Sequence, residues 1–176
     1  MPTSSGRSSK PHSAAPVLRG LRPSDRSAIE RILVASAAFR EDEVAVALEL
    51  VDAEASQGYR FVVAEVEGRL AGYACFGATP MTQGTHDLYW IVVDPGMQGR
   101  GVGKRLLDEV ERILKAEGGR LLLIETAGKE SYTATRSFYE RCKLELVARV
   151  PDFYAPGDDK LVYARRLAGP RPPDPV

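Results

Sequence analysis

The chain has no excess of charge of either sign. Lys and Arg total 24, Asp and Glu total 24, and the formal net charge of the 176 residues is zero. Surfaces that hold nucleic acid or anionic membrane carry a basic excess, so neither partner is expected. No apolar run approaches the length of a membrane span. The basic residues near the N-terminus are not followed by the apolar stretch of a secretory signal. Cysteine is scarce, with Cys75 and Cys142 far apart and each in an apolar context. They read as reduced, buried side chains of a cytoplasmic protein and not as a disulfide framework. What is present is enough for one core, at 44% hydrophobic residues.

Residues 1–16 are rich in Ser, Pro and Gly and read as a disordered tail. Residues 168–176 read as a proline-rich tail, which leaves one domain over 17–167. Within it, 17–22 reads as a strand, and Ser24 or Asp25 as the N-cap of a first helix. A second helix starts near Glu41, with Val44, Leu48, Val51 and Ala55 on one face. Strands 61–66 and 70–76 flank the turn Glu67-Gly68-Arg69, so a hairpin is expected. Residues 77–84 read as a loop, and 87–93 as a strand. A helix over 101–117 carries Val102, Leu106, Val110, Ile113 and Leu114 on one stripe, with Asp108–Arg112 and Glu111–Lys115 pairs, and Gly118-Gly119 ends it. Leu121–Ile124 is wholly apolar and reads as a strand covered on both sides. A helix over 131–142 and strands over 144–150 and 160–166 complete the pattern, with 151–159 as the connection.

The most informative segment is Asp94–Lys104. It follows the apolar run Leu88–Val93 and opens a helix. A strand, a glycine-rich turn and a helix N-terminus, in that order, suit a phosphorylated ligand, because free N–H groups and the helix dipole both favour an anion. Spacing excludes two phosphate loops. A dinucleotide fingerprint would need Gly at Lys104 or Leu106, and a Walker A loop would need Gly at Gln98 and Ser or Thr at Arg105. The spacing that fits is Gln-x-x-Gly-x-Gly, at Gln98, Gly101 and Gly103.

That motif, the order β-α-α-β-β-β-α-β-α-β-β and the segment Thr135-Arg136-Ser137-Phe138-Tyr139-Glu140-Arg141 resemble the GNAT (GCN5-related N-acetyltransferase) superfamily. The resemblance covers nearly the whole domain. It implies an α/β GNAT fold, with a mixed, mostly antiparallel central sheet of about seven strands flanked by about four helices. It also implies acetyl-CoA as co-substrate and no metal. Its pyrophosphate would lie on the backbone of Gln98, Gly99, Arg100, Gly101, Val102, Gly103 and Lys104, with Arg100 and Lys104 either adding charge or standing as solvated residues. Its pantetheine arm would follow Ile91 and Val93, and the Val93 N–H matches the family's oxyanion donor. Tyr139 matches the tyrosine that protonates the departing thiolate, and otherwise reads as a core tyrosine. Two departures stand out. Tyr132 replaces the Asn often found seven positions earlier, and Lys143-Leu144 replaces the usual Gly-Phe.

For the base, alternation places Asp87, Tyr89, Ile91 and Val93 on one strand face. Asp87 also stands where the histone acetyltransferase branch has its catalytic glutamate, one methylene shorter. It reads as the base, with a relayed water to make up the shorter reach, or as a structural residue at a strand entrance; His86, Glu125 and Glu65 are the alternatives. Phe153, Tyr154, Asp158 and Asp159 would either receive a cationic amine or form a solvated hairpin turn. No Cys or Ser stands where an acetyl-enzyme would need one, which favours direct attack in a ternary complex. The expected activity is acetyl transfer to a primary amine on a small molecule or a peptide, by a monomer or homodimer. A protein N-terminus or lysine as acceptor, and a non-catalytic acyl-CoA-binding regulatory module, remain open.

Overall fold

The computed structural model describes residues 15–36, 39–53 and 58–167. Most of the expected N-terminal tail, the expected C-terminal tail and Ala55 lie outside the described residues. Strand β1 (Val17–Arg19) leads through a 3-10 turn at Pro23–Asp25 into α1 (Arg26–Ala35) and then α2 (Glu41–Ala53). Next come β2 (Arg60–Val66), β3 (Arg69–Ala78) and β4 (Thr85–Val93), then α3 (Val102–Ala116), β5 (Leu121–Ala127), α4 (Thr133–Arg141), β6 (Glu145–Ala155) and β7 (Asp158–Arg166). The seven strands form one sheet in the order β1-β2-β3-β4-β5-β7-β6. Every pairing is antiparallel except β4 with β5. Among the described residues no helix is long and apolar enough to cross a membrane.

The sheet separates two cores. On one face Leu106, Val110 and Leu114 of α3 and Tyr139 of α4 pack on Ala74, Phe76, Leu88, Leu122 and Ile124. On the other, Ile29 and Leu33 of α1 and Leu48 of α2 pack on Val63, Tyr73, Cys75 and Val92. The second core contains no residue of β5. This corrects the expectation that β5 is covered on both sides: Leu122 and Ile124 are buried, but Leu121 and Leu123 are only partly so and Glu125 is exposed.

Local chemistry moved several boundaries. Glu67 and Gly68 both take positive φ, 51° and 74°, so they form a two-residue turn and Arg69 already pairs with Val66. Asp25 precedes α1 but does not cap it. Its carboxylate instead accepts the Arg22 N–H at 2.8 Å and both Arg19 guanidinium nitrogens at 2.7 and 2.9 Å. Residues 151–159 are not an open connection. Strand β6 continues to Ala155, because Asp152 turns left-handed at φ 53° and its carboxylate takes the Gly157 N–H at 2.7 Å, closing a tight turn. On α3, Asp108 pairs with Lys104 and Arg112 with Glu109, not Asp108 with Arg112; Glu111–Lys115 forms at 3.4 Å. The Arg112 fork meets both Glu109 oxygens, at 2.7 and 2.8 Å.

Candidate active site

The turn after β4 is built by its own polar groups. The Asp94 N–H extends the ladder to Ala71 O at 2.9 Å, and the Asp94 carboxylate takes the Gly96 N–H at 2.8 Å. A 3-10 turn over Pro95–Met97 follows. Gly99 and Gly101 then take φ of 74° and 78°, a region that costs side chains with a Cβ, and Gly101 is the residue just before α3. Gly103 has a different role. A Cβ there would lie 3.2 Å from the Phe138 ring and 3.5 Å from Val93, so its hydrogen lets α4 close on the first turn of α3.

Between these elements lies a groove of about 470 Å³. Ile91 and Val93 form its strand wall, and Gln98, Gly99, Gly101, Val102, Gly103 and Lys104 its turn wall. Arg100 is exposed and is not on the wall. It stands between the two left-handed glycines, on the outer side of the turn. Lys104 lines the groove while its ammonium lies 2.6 Å from Asp108. The opposite wall comes from α4 through Thr135, Phe138 and Cys142. Sequence reasoning missed this wall, although the i, i+3, i+7 spacing of those residues marks one helix face. Cys142 is therefore not fully buried: it packs against the core and lines the groove as a half-buried free thiol, its pKa pushed up by burial.

Beside the groove the sheet parts. β4 and β5 pair only where Thr85, His86 and Asp87 meet Leu121, Leu122 and Leu123. Beyond that point β4 stays with β3 as far as Val93 and β5 stays with β7 as far as Ala127, and the strands part into a wedge. Because the Asp94 N–H bonds to β3, alternation turns the N–H and C=O of Val93 and Ile91 away from β3, into the wedge. Main-chain donors and acceptors therefore face the opening.

A bulge in β4 changes the face assignment. Cys75 pairs with Trp90 and Phe76 with Leu88, so Tyr89 is an extra residue. Leu88 and Ile91 both join the α3 core, while Trp90 and Val92 join the α1–α2 core. Asp87, paired with Gly77, thus lies on the α1–α2 face, opposite Ile91 and Val93; the shared face expected from simple alternation does not exist. Asp87 instead stands at the apex of the wedge. Its carboxylate accepts the Thr79 hydroxyl at 2.7 Å.

Tyr139 is buried behind the groove wall, its ring 5.6 Å from Phe138 and 5.4 Å from Tyr163. Burial, with lesser contributions from Tyr132, Tyr163 and Cys142, pushes its phenol up, so it stays protonated. The other acids are engaged: Glu125 with Lys160 at 2.6 Å and Glu65 with Arg19 at 3.0 Å. His86 packs toward the end of α3, 3.3 Å from where a Gly119 Cβ would stand, and its buried Nδ1 has no hydrogen bond. Phe153 and Tyr154 are exposed and in edge contact at 4.9 Å. Asp158 and Asp159 are not solvated acids. Asp158 accepts the Lys129 N–H at 3.2 Å, and buried Asp159 holds Arg149 and the Asp152 N–H. Among the described residues no group of three or more His, Cys, Asp or Glu could hold a metal.

Comparison with known proteins agrees with this geometry. The model of the acetyltransferase (GNAT) family matches residues 22–143. A crystal structure of a protein assigned to the GNAT acetyltransferases, from Desulfovibrio desulfuricans, is 43% identical; the match covers 88% of this chain and 100% of that one, with a TM-score of 0.84. The ribosomal-protein-S18-alanine N-acetyltransferase of Escherichia coli shares the fold at 20% identity, over 92% of this chain and 99% of its own, with a TM-score of 0.71. A Salmonella typhimurium protein of proposed acetyltransferase activity, solved with acetyl-CoA, does so at 22% identity, over 93% and 100%, with a TM-score of 0.70. No curated protein matches the chain.

Proposed function

Because the chain belongs to the GNAT acetyltransferase family, we propose that it moves an acetyl group from acetyl-CoA to a primary amine by direct attack in a ternary complex. The observation that carries this reading is the wedge, which begins where Asp87 meets Leu123 and widens along β4 toward Val93 and the glycine turn. The pyrophosphate lies on the N–H groups of 98–104, where the dipole of α3 favours its charge. The pantetheine arm follows the main chain of Val93 and Ile91 through the opening, and the thioester carbonyl accepts the Val93 N–H.

The acceptor arrives from the α1–α2 face as an ammonium ion. Asp87 takes one proton, directly or through a water, and frees the nitrogen lone pair. A C–N bond forms at the acetyl carbon and the C–S bond breaks. The sulfur leaves with the electron pair of that bond and takes a proton from Tyr139; the phenol recovers one from the nitrogen as the amide forms. The balance is an ammonium ion and acetyl-CoA giving an amide, coenzyme A thiol and one proton.

Thiol release measured with acetyl-CoA and a panel of amines tests the proposal. Release that depends on an amine supports it. A protein that binds coenzyme A but releases no thiol with small amines or with peptides bearing a free N-terminus or lysine is a binding module, and the proposal then fails.

A further inference from the structure

Asp87 differs from the other acids near the wedge in what holds it. Glu125 is held by Lys160 at 2.6 Å and Glu65 by Arg19 at 3.0 Å, so each of those carboxylates faces a fixed cation. Among the described residues no cation pairs with Asp87. Its partner is the neutral hydroxyl of Thr79, whose Oγ1 donates to Oδ2 at 2.7 Å. A cation beside a carboxylate competes directly with an incoming ammonium ion. A hydroxyl fixes the direction of the group and leaves its charge to attract one.

The register explains why this donor is available. Asp87 pairs with Gly77, so no β3 side chain stands directly opposite it. The Tyr89 ring covers Gly77, 3.2 Å from where a Cβ would stand, and closes that space to the carboxylate. The next residue on the same face is Thr79, diagonally across the ladder and within reach. Thr79 lies just past the end of β3, and its own loop pins it. Its N–H donates to the main-chain oxygen of buried Thr85 at 3.0 Å, and its C=O accepts the Thr82 hydroxyl at 2.8 Å. Both main-chain groups of Thr79 are thus engaged within the loop, and its hydroxyl is left for Asp87. The second oxygen of Asp87, Oδ1, has no hydrogen-bond partner among the described residues.

We propose that Thr79 is a positioning residue for Asp87: its hydroxyl engages Oδ2 and presents Oδ1 to the incoming ammonium ion. The inference rests on the amine acetyltransferase reading with Asp87 as its base, and deepens that same site. Thr79 gains and loses no proton. The ammonium proton passes to Oδ1, directly or through a water, while the Thr79 hydrogen stays on Oγ1. Fixing the carboxylate before the amine arrives removes an ordering cost from the proton transfer.

The test is a double-mutant cycle on kcat/KM for n-butylamine, spermidine and a hexapeptide with a free N-terminus, by thiol release from acetyl-CoA. Thr79→Val keeps the shape and removes the donor. It should lower kcat/KM about tenfold, the scale of one hydrogen bond to a charged group. Thr79→Ser keeps the hydroxyl and should recover most of that loss. Thr79→Val added to Asp87→Asn should lower the rate no further than Asp87→Asn alone, because the group it positions no longer takes a proton. Coenzyme A affinity, read by calorimetry, should stay as in the wild type and show that each variant is folded. Wild-type rates in Thr79→Val, equal losses in Thr79→Val and Thr79→Ser, or losses that multiply in the double variant overturn the inference and leave the transferase reading standing. Wild-type rates in Asp87→Asn remove the base and this inference with it. No thiol release with any acceptor, from wild-type protein that still binds coenzyme A, overturns the transferase reading as well.

Discussion

Tyr139 and Asp87 occupy opposite kinds of environment, and each suits a different proton step. Tyr139 is buried among Phe138 and Tyr163, and burial pushes its phenol up, so it stays protonated at neutral pH. Tyr139→Phe removes one oxygen and leaves the ring packing intact. It should lower kcat by about tenfold or more while coenzyme A affinity stays the same. An unchanged kcat, with chemistry shown to limit the rate, would assign Tyr139 to packing alone. Asp87 is half-buried at the wedge apex and keeps its Thr79 bond. Asp87→Asn preserves size and can still accept that hydroxyl, but it takes no proton. With two acceptors of different basicity, kcat/KM should fall for both, and any enzyme-derived limb of the pH profile should vanish. Wild-type rates with both acceptors would move the base to water.

At the scale of elements, the glycine turn shows that one motif can contain two physical requirements. Gly101 is needed for its left-handed backbone, and Gly103 for the absence of a Cβ. Gly101→Asp should abolish coenzyme A binding, because it adds both backbone strain and a negative charge at the turn proposed to hold the pyrophosphate. Gly103→Ala is subtler. Alanine gains about 1 kcal/mol of helix propensity over glycine, but its methyl meets the Phe138 ring at 3.2 Å, and the ring must move within the groove it lines. Thermal stability should stay near wild type while coenzyme A affinity falls severalfold; unchanged affinity by calorimetry would show that the ring yields away from the ligand. These elements were legible in the sequence because α3 declares itself by a 3.6-residue stripe and its turn by glycine spacing. The bulge at Tyr89 was not. Period-2 alternation assumes a regular ladder, and the insertion becomes visible only when β3 sets the register, which reverses the face of Asp87. Nor was the end of β6, where Asp152 replaces ladder bonds with a side-chain bond to Gly157 that strand patterning does not encode.

Across the whole molecule, the sheet divides the labour. One face holds the groove and the α3–α4 core, the other holds the α1–α2 core and the approach to Asp87. The second layer is tied to the sheet edge by Arg19 of β1, which bonds Glu65 of β2 and Asp25 at the start of α1. Asp25 is buried, and burial opposes its ionisation. The Arg19 guanidinium and the Arg22 N–H outweigh that effect and hold its carboxyl below the usual carboxylate range. A depressed folded value contributes stability that is present above the ordinary carboxylate range and is lost as pH falls through the folded value. Asp25→Asn leaves Arg19 short of a buried charged partner and should cost about 3 kcal/mol at neutral pH. For a domain of this size that is a drop in Tm of about 6–12 °C. The gap between variant and wild type should narrow as pH falls below about 4, where the wild type loses the same contribution. Sites on separate cores should act additively. Asp25→Asn should therefore leave coenzyme A affinity unchanged and should lower Tm by the same amount in the Gly103→Ala background as in the wild type. If calorimetry shows that Asp25→Asn weakens coenzyme A binding as strongly as Gly103→Ala does, the two faces are coupled through the sheet, and the division of labour argued from the two cores fails.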